Sequence, residues 1–160
     1  MLIIPINSLV LIIPILIIPI NSTLNIANIK DLANSKIQKI SIGNPDTVPV
    51  GEYSLLALTE VGLWSQLKNK AVLAEDVKQV LVYVERGDMD AGFASITDAK
   101  TAQPRTINIV TSVPVSTHIN YPIAVVSSST HKEKAPKFLD FVTGPEGQKI
   151  LKGDGFVPQS

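Results

Sequence analysis

Two stretches of this sequence hold the groups best able to bind a ligand, and neither relies on a charged side chain. In GNPDTVPVGEY (43–53) a strand end, a rigid proline turn and a helix start follow one another. The first N–H groups of a helix have no partner inside it, and the helix dipole adds partial positive charge there. The N–H groups at 50–53, with Val50 the first of them and Pro49 and Gly51 in support, therefore form a neutral anion trap. The second stretch, Glu75-Asp76-Val77, offers another set of donors near Val77, with Asp76 placed to cap the helix. Ser95 and Thr97 add hydroxyl donors where a strand ends. Such groups together suit a tetrahedral oxyanion. Every helix has free N–H groups, and most bind only water, so the residues alone leave both readings open.

Catalytic chemistry finds little support. His118 and His131 are the only histidines, and neither has a ligand-spaced partner for a metal. No G-x-S-x-G, H-E-x-x-H, Walker loop or G-x-G-x-x-G is present. Glu85, Asp88 and Asp90 could be drawn as paired carboxylates, but in the charged turn ERGDMD they read as solvated. Arg86-Gly87-Asp88 spells an adhesion tripeptide, which a helix-ending glycine explains. Ser95, His118 and Asp98 could be drawn as a triad, yet nothing fixes their mutual geometry. The expectation is a protein that is not an enzyme and carries no cofactor or bare metal ion.

Composition narrows the class. The 160 residues carry 14 Lys+Arg and 14 Asp+Glu, so the net charge is zero. That disfavours nucleic acid and polybasic membrane contact as partners. With no cysteine there are no disulfides, thiol nucleophiles or Cys-held metals. Hydrophobic residues at 45% and charged residues at 18% place the chain among folded proteins.

Residues 1–20, MLIIPINSLVLIIPILIIPI, stand apart, because the first charge in the chain is Lys30. LIIPINS occurs at 2–8 and again at 16–22, and LIIP occurs at 11–14. A signal peptide would need a basic start, which is missing. A membrane helix fits in length, but Pro5, Pro14 and Pro19 would break it. Short extended segments are the third reading, favoured by isoleucine. Exposed, they would offer a route to self-association, being β-rich and uncharged.

From there strands alternate with helices. A short helix is expected at 26–33, a strand at 37–43 and a helix at 51–62 with Leu55, Leu58 and Val61 on one face. Trp64 and Leu67 read as an irregular or short helical piece. EDVKQVLVYVERG (75–87) is the clearest helix, with Val77, Val80, Leu81 and Val84 in one stripe and Gly87 at its end. Strands follow at 90–96, 107–113 and, as a buried apolar run, 121–126. Helices at 132–142, carrying Ala135, Phe138, Leu139 and Val142, and at 144–156 close the chain. This alternation predicts an α/β fold with a mostly parallel sheet flanked by helices. Ligands of such sheets bind at the carboxyl ends of the strands.

These residues also carry a resemblance. ISIGNPDTVPVGEY, L-x-x-VGLW, AEDVKQVLVYVERGDMDAGF with TDA, and YPIAVV followed by FLDFVTGPEGQKIL and GF resemble the periplasmic molybdate-binding proteins of ABC importers in order and spacing over 22–157. The resemblance implies a type II periplasmic-binding-protein fold, two α/β lobes that close on an oxyanion. It implies ligand contacts from the backbone N–H of Val50, the backbone N–H of Val77 and a hydroxyl at Ser95, where the family has a tyrosine. It implies molybdate or tungstate as ligand, with sulfate as the alternative oxyanion. It also implies a membrane permease as partner and a periplasmic or extracytoplasmic location.

The match covers the family's carboxyl-terminal, larger part, with most of the first lobe missing. Residues 1–22 would be an apolar, crossover-strand-like segment, with LVLIIP (9–14) the strand itself and YPIAVV the returning one. Residues 23–126 would be the second lobe, and 127–160 helices that normally pack on the first. A truncated remnant that no longer binds is the alternative function.

Overall fold

The structure, a computed structural model, describes residues 13–116 and 123–156. The chain divides into two units, one of Ile13–Thr117 and one of Met1–Ile12 with His118–Ser160. The first holds a five-stranded sheet. Its strands are β1 (Pro14–Pro19), β2 (Ile40–Gly43), β3 (Ala71–Ala74), β4 (Ala91–Ser95) and β5 (Ile107–Ser112), in the order β3-β2-β4-β1-β5. β2 pairs parallel with β3 and β4, while β1 runs antiparallel to both β4 and β5. Four strands therefore point one way and β1 alone is reversed.

β1 is the extended reading of the apolar segment, made by PILIIP. Prolines bound it at both ends, where a missing N–H least disturbs a strand. Its side chains alternate between two cores, which is how a fully covered strand stays apolar throughout. Leu16 and Ile18 join Ile40, Ile42, Phe93 and Leu58 on one face. Ile15 and Ile17 join Leu81, Val84 and Ala94 on the other. Residues 14–19 are thus consumed inside the sheet and offer no surface for self-association. A strand forms at 14–19, where these residues find two partner strands; of the strand expected at 9–14, residues 9–12 lie outside the described residues. Among the described residues no helix is long and apolar enough to cross a membrane.

Helices cover both faces. On the first are α1 (Pro49–Glu60), α2 (Trp64–Leu67) and a 3-10 turn at Ile29–Ala33, capped reciprocally by Asn28 and Asp31. On the second is α3 (Val77–Glu85), with the short α4 (Ile96–Ala99) following β4. Gly62 and Gly87, at φ +72° and +74°, close α1 and α3 in the left-handed conformation that glycine adopts without strain.

Three expectations change. The buried face of α1 is Val50, Gly51, Ser54, Ala57 and Leu58, while Val61 is 47% exposed. The helix runs from Pro49 to Glu60, so Val61 is its C-cap and falls past the end of the buried face. β3, four residues long, has no periodicity to announce it and is not among the strands expected from the sequence. The buried strand expected at 121–126 is not formed in its described part: 123–126 is irregular and Val126 is 66% exposed. Tyr121 and Pro122 lie outside the described residues.

In the other unit, α5 (Lys134–Thr143) and α6 (Pro145–Asp154) meet at Gly144, which ends one and starts the next. A Cβ on Gly147 would stand 2.3 Å from the Phe141 carbonyl oxygen, so the corner needs glycine there. Of the stripe expected on α5, Leu139 is buried and Phe138 is 60% exposed.

Gly92 marks where α3 crosses the sheet. A Cβ there would lie 2.7 Å from Val84 Cγ2 and 3.0 Å from Val80 Cγ1. Gly92→Ala is expected to destabilise the fold by about 1–3 kcal/mol through overpacking, read as a lower urea midpoint. Adding Val84→Ala should recover part of that loss, since the two sites share one space.

Candidate functional site

The parallel strands β3, β2 and β4 lie side by side and end at one edge. Neighbouring strands are about 4.8 Å apart, so the three ends span about 10 Å. From these ends start α3, α1 and α4. Val50, Val77 and Ser95 are therefore brought to the same edge. The chain also enters and leaves the sheet there, since Pro14 pairs with Ser95 and Ser112 with Ile15.

The β2–α1 loop is wired internally. Asn44 N–H donates to the Ala74 carbonyl at 2.7 Å, tying the loop to the end of β3. The Asn44 carbonyl accepts from Thr47 N–H at 3.1 Å and Val48 N–H at 2.8 Å, and its Oδ1 accepts from Asp46 N–H at 3.1 Å. Pro49 takes the first helical position, where no donor is needed. Gly51 permits the approach of α1: a Cβ on it would stand 2.0 Å from the Gly43 carbonyl oxygen. Gly43 is equally crowded, its added Cβ lying 2.5 Å from Val48 Cγ1. The two glycines of GNPDTVPVG thus serve closeness, not a turn. Inside α1 the Ser54 hydroxyl donates to the Val50 carbonyl at 2.6 Å.

No side chain caps α1. Gly51 and Glu52 N–H groups donate to the Val48 carbonyl at 2.9 and 3.1 Å. Val50 N–H has no acceptor among the described residues, because four positions back lies outside the helix. At α3, Asp76 caps as expected, its Oδ1 accepting from Gln79 N–H at 2.8 Å. Gln79 Oε1 in turn accepts from Glu75 N–H at 2.7 Å. Val77 N–H is left with no acceptor among the described residues.

Ser95 has a different position from the one its residue type suggested. It is 1% exposed and is the N-cap of α4. Its hydroxyl accepts from Asp98 N–H at 3.1 Å and donates to the Asp98 carboxylate. Thr97 Oγ1 lies 2.6 Å from it. Ser95 and Asp98, drawn earlier as two parts of a triad, form a capping pair. His118 lies outside the described residues.

Two of the three acids of ERGDMD are structural where solvation was expected, while Asp88 is exposed as expected. Asp90 Oδ2 accepts from Gln38 N–H at 2.7 Å and Lys39 N–H at 3.0 Å, stapling the start of β4 to the start of β2. Glu85 Oε1 accepts from Gln103 N–H at 2.6 Å. Both sit at the edge opposite the helix starts. So does a groove lined by Pro19, Asn21, Arg86, Asp90 and Thr106, which takes in none of Val50, Val77 and Ser95.

The family described as bacterial extracellular solute-binding protein matches residues 6–157. A Bacillus subtilis protein named as an ABC transporter substrate-binding lipoprotein, YvgL, is 35% identical over 147 residues, 91% of this chain and 55% of its own length. The molybdate-binding protein ModA of Escherichia coli is 34% identical over 122 residues, 74% of this chain and 46% of its own. A solved Clostridium difficile structure, described as the substrate-binding domain of a molybdenum ABC transporter, superposes with TM-score 0.82 at 36% identity, covering 94% of this chain and 65% of that one. The chain thus spans about half the length of the two curated relatives.

Gly51→Ala separates close approach from helix propensity. Alanine inside an ordinary helix stabilises by up to about 1 kcal/mol over glycine. Here the sign is expected to reverse, with about 1–3 kcal/mol lost in urea unfolding as α1 is pushed off β2.

Proposed function

The chain belongs to the bacterial extracellular solute-binding protein family, and from that premise we propose that it binds a tetrahedral oxyanion of the molybdate type at the strand-end edge. The observation that carries this reading is the pair of backbone donors with no acceptor among the described residues, Val50 N–H and Val77 N–H, at the starts of two helices that follow adjacent strands. Helix dipoles place partial positive charge at both. Backbone donors are fixed by the fold and need no reorganisation to meet an anion. A site made of neutral donors suits a fully deprotonated dianion, which has only acceptors to offer. The third contact is a hydroxyl of the Ser95–Thr97 pair, with Thr97, half-buried and 2.6 Å away, the outer of the two.

Molybdate is favoured over sulfate by the names of the relatives, ModA and the molybdenum transporter domain. Tungstate, the same shape and charge, belongs to the same class of ligand. The chain acts outside the cytoplasm as the solute-binding component of an ABC importer, delivering its anion to a membrane permease.

Val77→Pro tests the site with little disturbance. Val77 is the first residue of α3, where proline is well tolerated. Asp76 before it is already extended, at φ −151° and ψ 174°, as a residue before proline prefers. The substitution removes one N–H and keeps the helix. Titration calorimetry of the unaltered chain should show saturable heat with molybdate and much less with sulfate. Val77→Pro should weaken molybdate binding by about tenfold or more, the value of one hydrogen bond to a charged group. Equal affinity in both proteins, or no binding by the folded unaltered chain, would contradict the reading.

A further inference from the structure

The core of β1, a strand covered on both faces, has two spare copies in the sequence. LIIPI occurs at 16–20, at 11–15 and at 2–6. β1 is built on the copy at 16–20. Leu16, Ile17 and Ile18 are buried, with Leu16 opposite Phe93 and Thr111, and Ile17 opposite Gly92 and Ile109. In most sheets a slip in register is blocked because it carries the apolar set to the wrong face or brings polar residues inside. Here a slip of five residues returns the same side chain to each of the places 16–20. Leu11, Ile12, Ile13, Pro14 and Ile15 take the places of Leu16, Ile17, Ile18, Pro19 and Ile20. Val10 takes the place of Ile15, so the strand stays apolar over both cores. A slip of fourteen brings Leu2, Ile3, Ile4, Pro5 and Ile6 into the same places, followed by Asn7-Ser8 where Asn21-Ser22 now turn.

Each copy also keeps proline at its fourth position. The ladder therefore lacks a donor at the place of Pro19 in every register, while a slip of five puts Leu9 in the place of Pro14 at the start of the strand. The displaced residues enter the connection between β1 and the 3-10 turn, and loop closure grows only with the logarithm of length.

We propose that the β1 position, between β4 and β5, accepts any of the three LIIPI copies, making this interior strand of the sheet exchangeable. β1 begins at the edge that carries Val50 and Val77. Exchange therefore changes, in steps of five and nine residues, the length of chain that precedes the sheet at the proposed ligand edge.

Aspartate substitutions in the full chain test this without altering its length. Ile17 is fully buried, so Ile17→Asp should abolish folding if residues 16–20 are the only strand that fits. The expected result is that Ile17→Asp retains a cooperative urea transition and slow amide exchange in β4 and β5. Its protection by hydrogen exchange and mass spectrometry should move from residues 16–20 to 11–15 or 2–6. The triple substitution Ile3→Asp, Ile12→Asp and Ile17→Asp should lose both. The pair Ile3→Asp and Ile12→Asp should unfold like the unaltered chain. Exchange is overturned if Ile17→Asp alone loses β4 and β5 protection as fully as the triple. It is equally overturned if Ile17→Asp folds with protection still on 16–20, or if the Ile3/Ile12 pair unfolds by itself. Protection recovered only in a dimer on size exclusion would also overturn it, because the spare copy would then come from a second chain.

Discussion

The candidate site depends on how closely α1 can lie against the end of β2. The Gly43 carbonyl and Gly51 backbone meet with no room for a methyl group between them. That contact fixes where α1 begins. It places Pro49 at the first helical position and Val50 at the second, so that the first N–H of the helix belongs to Val50. It also explains why a valine can stand where only a backbone group is needed: the Val50 side chain is buried and its N–H has no acceptor among the described residues. The Asn44 bond to Ala74 then ties this loop to β3, which leads into α3 and Val77. The two backbone donors are held by one chain of contacts, with no side chain required to reach the ligand.

β1 supplies the second constraint. A strand covered on both faces needs an unbroken apolar sequence, and PILIIP provides it. It is the reversed member of the sheet and closes both cores at once. The three parallel strands can end together at one edge because β1 and β5 complete the sheet on the far side of β4.

Much of this was legible in the sequence where one residue carries one physical meaning. Asp76 before a heptad-like apolar stripe marked α3, and Gly87 marked its end. The proline turn before Val50 marked the start of a helix. The fold class followed from alternation alone. Other features were hidden because their causes are tertiary. β3 is too short to show a period and is fixed by pairing with β2. The face of α1 turns on the Gly43–Gly51 contact, which joins residues eight apart and leaves no local signature. Asp90 read as solvated because its partners, Gln38 and Lys39, lie fifty residues away. Ser95 read as a free hydroxyl, although Asp98 three residues on is the spacing of a capping pair and could have shown it.

The central claim is that an oxyanion is held at the strand-end edge by backbone N–H groups. It is tested most directly by following backbone amide resonances of the 15N-labelled chain as molybdate is added. The account predicts that Val50 and Val77 amides move together, saturate at one ligand concentration and lead all others in size of shift. Shifts confined to the opposite edge around Arg86, or no shift at Val50 and Val77 while heat of binding is still released, would contradict it.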